Sequence, residues 1–147
     1  MSIRSSSRSP SHDLPWVHVP KVSAKQLQDL LEASVACVVY VYSPTCGACV
    51  ARFKAFDDTV GSLPQNEKNR FFRYNAVPSQ AQAEEAHEKF KQVTGASIQY
   101  YPTVYGFAPG AIKGRRVFEY SGDYGSHDLT AFLRSLQNGQ MSLASRK

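Results

Sequence analysis

Cys46-Gly47-Ala48-Cys49 is the stretch whose residue types and spacing carry chemistry most directly. It follows an apolar run that Pro44 must end, and it opens a segment of helical periodicity. That context places Cys46 at a helix N-terminus and Cys49 one turn further on the same side. Unpaired backbone N–H groups and the positive end of the helix dipole favour an anion there, so Cys46 is the expected attacking thiolate. Residues three apart on a helix hold their Cβ atoms about 5–6 Å from each other, near enough to close a disulfide after modest adjustment. Cys49 could then resolve a mixed disulfide.

Two inert helix thiols, or half of a zinc site, would have the same spacing. Zinc takes four ligands, and the remaining candidates, Cys37, His12, His18, His87 and His127, include no second ligand at metal-site spacing. Redox use is therefore the favoured reading, with inert thiols as its alternative, and no metal is expected. Cys37 stands at the far end of the strand leading to Cys46, too far along an extended chain to bridge to it, and reads as a small buried hydrophobe.

The elements that must position this pair follow from periodicity. Residues 17–19 can form a short first strand between Pro15 and Pro20. Ser23 and Gln26 make a capping box for a helix carrying Leu27, Leu30 and Leu31. Residues 37–42 are the strongest strand. The helix opening at Cys46 has Val50, Phe53, Phe56 and Val60 on its expected inner face and closes at Gly61. A strand over 71–75 precedes a helix capped by Ser79 and Gln82, with Ala83, Ala86, Phe90 and Val93 inward and Gly95 as its stop. Strands over 103–107 and 117–120 then form a hairpin joined through 108–116, and Ser126 can cap a last helix carrying Leu129, Phe132, Leu133 and Leu136. Alternating strands and helices followed by an antiparallel hairpin predict an α/β fold with a mixed sheet of about five strands, covered by helices on both faces.

At 147 residues, with 42% hydrophobic and 20% charged side chains, the chain fits one globular domain, expected over residues 15–138 with flexible tails at 1–14 and 139–147. Three cysteines are too few for a disulfide scaffold. The net charge of +5 is uneven: Arg4, Arg8, Arg146 and Lys147 against Asp13 place most of it in the tails. Lys113, Arg115 and Arg116 form the one tight basic cluster of the body, and no basic residues alternate with aromatics, so no nucleic-acid partner is expected. The uncharged stretch over residues 33–51 is interrupted by polar residues and is too short in its apolar part to span a membrane. The N-terminus has no apolar core of the kind a secretory signal needs. A cytoplasmic location is expected, with organelle targeting by the Arg- and Ser-rich N-terminal segment as the competing reading.

Three stretches in order then carry a resemblance: Val38-Val-Tyr-Val-Tyr-Ser-Pro-Thr-Cys-Gly-Ala-Cys49, Tyr101-Pro-Thr-Val-Tyr-Gly-Phe-Ala-Pro-Gly110, and Tyr120-Ser-Gly122 before the helix with Leu129 and Phe132. Over residues 16–137 the chain resembles the thioredoxin superfamily, most of all a single catalytic domain of protein disulfide isomerase. The resemblance implies a thioredoxin fold, Cys46 as nucleophile and Cys49 as resolving thiol. It also implies a cis Tyr101–Pro102 bond beside the sulfurs, with the preceding backbone pairing with an extended substrate like an added strand.

Three departures from the family bear on mechanism. Thr45 replaces the tryptophan usual before the first cysteine, which removes an aromatic lip; Tyr100, Tyr101 and Tyr105 are candidates to line a groove in its place, with core packing the equal alternative for Tyr105. Tyr40 occupies the place of a buried acid that shuttles a proton to the resolving thiol, and a phenol with an ordinary pKa of about 10 cannot supply a carboxylate. Arg73, where thioredoxins carry a lysine, is the one alternative charge the sequence nominates there, with a surface charge on the strand as the equal alternative. The Gly-Ala dipeptide lacks a thiolate-stabilising histidine, which sets the expected poise on the reducing side. The ending Ala144-Ser-Arg-Lys147 is not an ER-retention signal, and an ER isomerase in the full sense is not expected.

Elsewhere, Ser126-His127-Asp128 holds the residue types of a hydrolase triad, but neighbours in sequence point apart and cannot form the relay. His87 is expected on an exposed helix face. The sequence thus predicts a thiol–disulfide oxidoreductase acting on protein substrates with disulfides or thiols, needing no cofactor but an unidentified electron donor. The alternative is a redox-silent module of the same fold that binds an extended partner chain.

Overall fold

In the computed structural model, residues 14–110, 117–125 and 127–138 are described. Helix α1 (Ala24–Glu32) starts where the capping box predicts: Ser23 Oγ accepts from the Gln26 amide at 3.1 Å and Gln26 Oε1 accepts from the Ser23 amide at 2.8 Å. Leu27 and Leu31 form its buried stripe.

Strand β1 (Cys37–Tyr42) is buried along its whole length, as an apolar run covered on both faces requires. It pairs in parallel with β2 (Phe71–Asn75) and antiparallel with β3 (Thr103–Phe107), which pairs antiparallel with β4 (Val117–Tyr120). The resulting order is β2-β1-β3-β4, the mixed sheet expected from the pattern of elements. Alternation along β1 divides the core in two. Val38, Tyr40 and Tyr42 face helices α2 (Gly47–Gly61) and α5 (His127–Asn138); Cys37, Val39 and Val41 face α1 and α4 (Ala83–Thr94). Helices therefore cover both faces.

The sheet has four strands among the described residues, not five, because residues 17–19 do not form the expected first strand. Their amides are taken elsewhere: Val17, His18 and Val19 all donate to the buried Asp57 carboxylate of α2 at 2.9–3.0 Å. Pro20 has no N–H to offer. The segment still meets the sheet edge through one bridge, Lys21 with Arg73, where the Arg73 amide donates to Pro20 O and the Val22 amide to Arg73 O, each at 2.9 Å.

Three local expectations are also corrected. Val50 of α2 is 47% exposed, and the helix instead buries Cys49, Phe56, Asp57 and Val60. Ser79 makes no capping bond to backbone; a 3₁₀ turn (Gln80–Gln82) leads into α4, which Gly95 does close in a left-handed conformation with φ 81°. A short helix, α3 (Gln65–Lys68), follows Pro64 and has no counterpart in the expected elements. The expected tails, the 111–116 connection with its basic cluster, and the Ser126 cap lie outside the described residues.

Candidate active site

The turn after β1 places Cys46 as the N-cap of α2, one residue before the helix that the periodicity had starting there. Its backbone is extended (φ −83°, ψ 121°), and its amide donates to Ser43 O at 3.1 Å. The Cys49 amide, a donor with no partner within its own helix, donates to Cys46 Sγ at 3.1 Å. The sequence puts a sulfur where an N-cap residue usually offers oxygen. Cys46 is half-buried and Cys49 fully buried, and both are free thiols. The Cys49 thiol is pushed up to about 12, first by burial and next by its hydrogen bond to the Cys46 sulfur, which holds its proton in place.

Beneath them lies an aromatic floor. The Tyr40 hydroxyl is spent on the Cys49 carbonyl at 3.2 Å, and burial drives its ionisation far above the ordinary phenol range. Trp16, Phe56 and Tyr124 pack round the Tyr40 ring with centroids 5.1, 4.8 and 5.7 Å away. Arg73, nominated as a charge near the thiols, is engaged with the N-terminal segment: it donates to Val19 O and to the Tyr42 hydroxyl, and its guanidinium lies 5.3 Å from the Trp16 ring centroid. Arg52, one turn beyond Cys49, also acts on this floor: it is set 5.9 Å from the Tyr124 ring and opposes the upward shifts of both Tyr40 and Tyr124. Sequence reasoning missed Arg52; its i+3 spacing from Cys49 was the available signal.

The Tyr101–Pro102 peptide bond is cis. Burial first, and then the Cys49 and Cys46 sulfurs, raise the Tyr101 hydroxyl above its usual range. That hydroxyl lies 2.6 Å from His87 Nε2, while His87 Nδ1 is 2.7 Å from the Ala83 carbonyl. A carbonyl only accepts, so Nδ1 donates, and in the tautomer this fixes Nε2 accepts from Tyr101. His87 is therefore half-buried and engaged, contrary to the exposed position expected for it.

The other candidates separate. Thr45 is exposed, with Oγ1 3.2 Å from Ser43 Oγ. Tyr100 is 53% exposed and donates to Glu119, whereas Tyr105 is a core residue whose hydroxyl donates to Ser97 O at 3.1 Å. Cys37 is buried in the opposite half of the core, its thiol pushed up to about 12 chiefly by burial. Among the described residues no three or more His, Cys, Asp or Glu side chains gather in a way that could hold a metal ion, and no helix is long and apolar enough to cross a membrane.

No family model and no curated protein matches this sequence. Solved structures do. The J-Trx1 fragment of ERdj5 superposes with a TM-score of 0.61 at 16% identity, over 86% of this chain and 53% of that one. The chain thus spans about half the length of that fragment, and 30% of the zinc-bound form of human ERp44. Chloroplastic thioredoxin z gives 0.55 at 14% identity, over 84% of this chain and 97% of its own. The first thioredoxin domain of mouse protein disulfide-isomerase A4 gives 0.56 at 14% identity, over 95% and 93%. Agreement over nearly the full length of these last two, together with the sheet order already described, establishes that the chain has the thioredoxin fold.

Proposed function

We propose that the chain is a thiol–disulfide oxidoreductase acting on protein disulfides, with Cys46 as nucleophile and Cys49 as resolving thiol. The observation that carries this reading is the 3.1 Å bond from the Cys49 amide to Cys46 Sγ, which offers a positive dipole to a sulfur that substrate can reach. The Cys46 thiolate attacks one sulfur of a substrate disulfide, expels the other as a thiol after protonation by water, and leaves a mixed disulfide. Attack of Cys49 on Cys46 Sγ then releases the reduced substrate and forms the Cys46–Cys49 disulfide. A separate electron donor must restore the dithiol, and no organic cofactor takes part. We assign Tyr101, Pro102 and Thr45 to shaping the approach of an extended polypeptide: the Cys49 and Cys46 sulfurs act on the Tyr101 hydroxyl, Pro102 follows it through the cis bond, and Thr45 immediately precedes Cys46.

Insulin-disulfide reduction driven by dithiothreitol tests the reading. The native chain should accelerate precipitation and Cys46→Ser should fall to the rate of dithiothreitol alone. Equal rates for the two would reject it.

A further inference from the structure

Between Gly95, which closes α4, and the start of β3 the chain runs through residues 96–102 without helix or strand. Ser97, Gln99 and Tyr100 are exposed there. Among the described residues, the amides of Ser97, Ile98, Gln99, Tyr100 and Tyr101 meet no acceptor. Side chains hold the segment instead. The Ala96 amide donates to Thr94 Oγ1 at 3.0 Å, the Tyr105 hydroxyl to Ser97 O at 3.1 Å, the Tyr100 hydroxyl to Glu119, and the Tyr101 hydroxyl to His87 Nε2 at 2.6 Å.

The last of these ties falls on the residue that meets the thiols. After burial, it is the Cys49 and Cys46 sulfurs that act on the Tyr101 hydroxyl, and the Tyr101 side chain packs against both halves of the core. His87 is set to receive it. Its Nδ1 donates at 2.7 Å to the Ala83 carbonyl, one turn back in its own helix, which leaves Nε2 as an acceptor. The two rings stand edge to face, with centroids 5.7 Å apart. Thiol exchange at Cys46 has no use for this imidazole, but a row of unpaired amides can receive the carbonyls of an extended chain, and a row already fixed in place costs less to order.

Building on the oxidoreductase reading, we propose that His87 is a positioning residue for client capture: by accepting from Tyr101 it fixes the 97–101 segment, along which an extended client lies as its disulfide meets Cys46. The imidazole itself touches neither the client nor the sulfurs, and it acts through Tyr101.

Quenched single turnovers of the pre-reduced chain over a range of insulin concentrations separate the half-saturating concentration from the limiting rate. His87→Leu removes the acceptor and should raise the half-saturating concentration about fivefold, the scale of one lost hydrogen bond, with the limiting rate within about twofold of native. In His87→Gln an amide oxygen can stand in for Nε2, and half-saturation should return to within about twofold of native. Tyr101→Phe should match His87→Leu, and the double variant should be no worse than either single one, since both remove the same bond. Unchanged half-saturation in folded His87→Leu, a limiting rate that falls as far as half-saturation rises, no recovery in His87→Gln, or additive losses in the double variant each overturn the proposal and leave the oxidoreductase reading intact. If circular dichroism shows His87→Leu unfolded, Tyr101→Phe and His87→Gln carry the same test. Insulin reduction by Cys46→Ser at the native rate instead removes the oxidoreductase reading and the proposal with it.

Discussion

Glu67 and Arg134 bring together residues 67 positions apart through two bonds, Nε to Oε2 at 2.6 Å and Nη2 to Oε1 at 2.9 Å, with the carboxylate largely buried and the guanidinium mostly in solvent. The guanidinium holds the Glu67 carboxyl below the ordinary carboxylate range. A carboxyl whose pKa is depressed by folding contributes stability above its unfolded pKa and loses it as pH falls through the folded value. Urea midpoints of the native chain should therefore drop more between neutral pH and about pH 3 than those of Arg134→Gln, the two converging in acid. A constant gap between them across that range would show that the pair contributes no proton-linked stability. The same logic of partners separates the cysteines: Cys37 and Cys49 are both buried thiols held protonated, and only Cys49 has another sulfur beside it.

Among the elements, the N-terminal segment depends most on one side chain. Asp57, 4% exposed, accepts from three consecutive amides, so Asp57→Ala should cost about 2–4 kcal/mol through lost bonds and stranded donors, measured by urea unfolding. A loss within about 0.5 kcal/mol, the range of ordinary surface substitutions, would mean the segment is held by its apolar contacts alone. Asp57 also shows why part of the architecture was hidden in the sequence. Strands β1 to β4 were legible as apolar runs bounded by proline, glycine and polar residues, and the Cys46–Cys49 pair by its position after β1. Residues 17–19 have the same local character, but their amides go to a carboxylate 38–40 positions away, a partner that no local pattern encodes. The His87–Tyr101 bond and the Arg52–Tyr124 pairing were missed for that reason, since each needs two elements already packed. A charged residue on an otherwise apolar helical stripe, as Asp57 is beside Phe56 and Val60, was the clue available.

At the scale of the whole molecule, the face of the sheet that α5 covers has little tolerance for added volume. Gly106 of β3 lets α5 approach: a Cβ there would stand 2.5 Å from the Phe132 ring and 2.6 Å from Leu136 Cδ1. Gly106→Ala should destabilise by about 1–3 kcal/mol by overpacking and lower the melting temperature by several degrees. Gly47→Ala, where a Cβ would have nothing within 4 Å, is the matched control and should not lower it. If both variants melted alike, close approach of α5 would not be what requires a glycine in β3. Trp16, the chain's single tryptophan, has ring centroids 5.1 Å from Tyr40 and 5.2 Å from Phe53, with the Arg73 guanidinium over its face. Indole emission from this protein therefore comes from one fluorophore, lodged beside the tyrosine whose hydroxyl donates to the Cys49 carbonyl, and its wavelength and intensity report whether the leading segment is docked without any label being introduced.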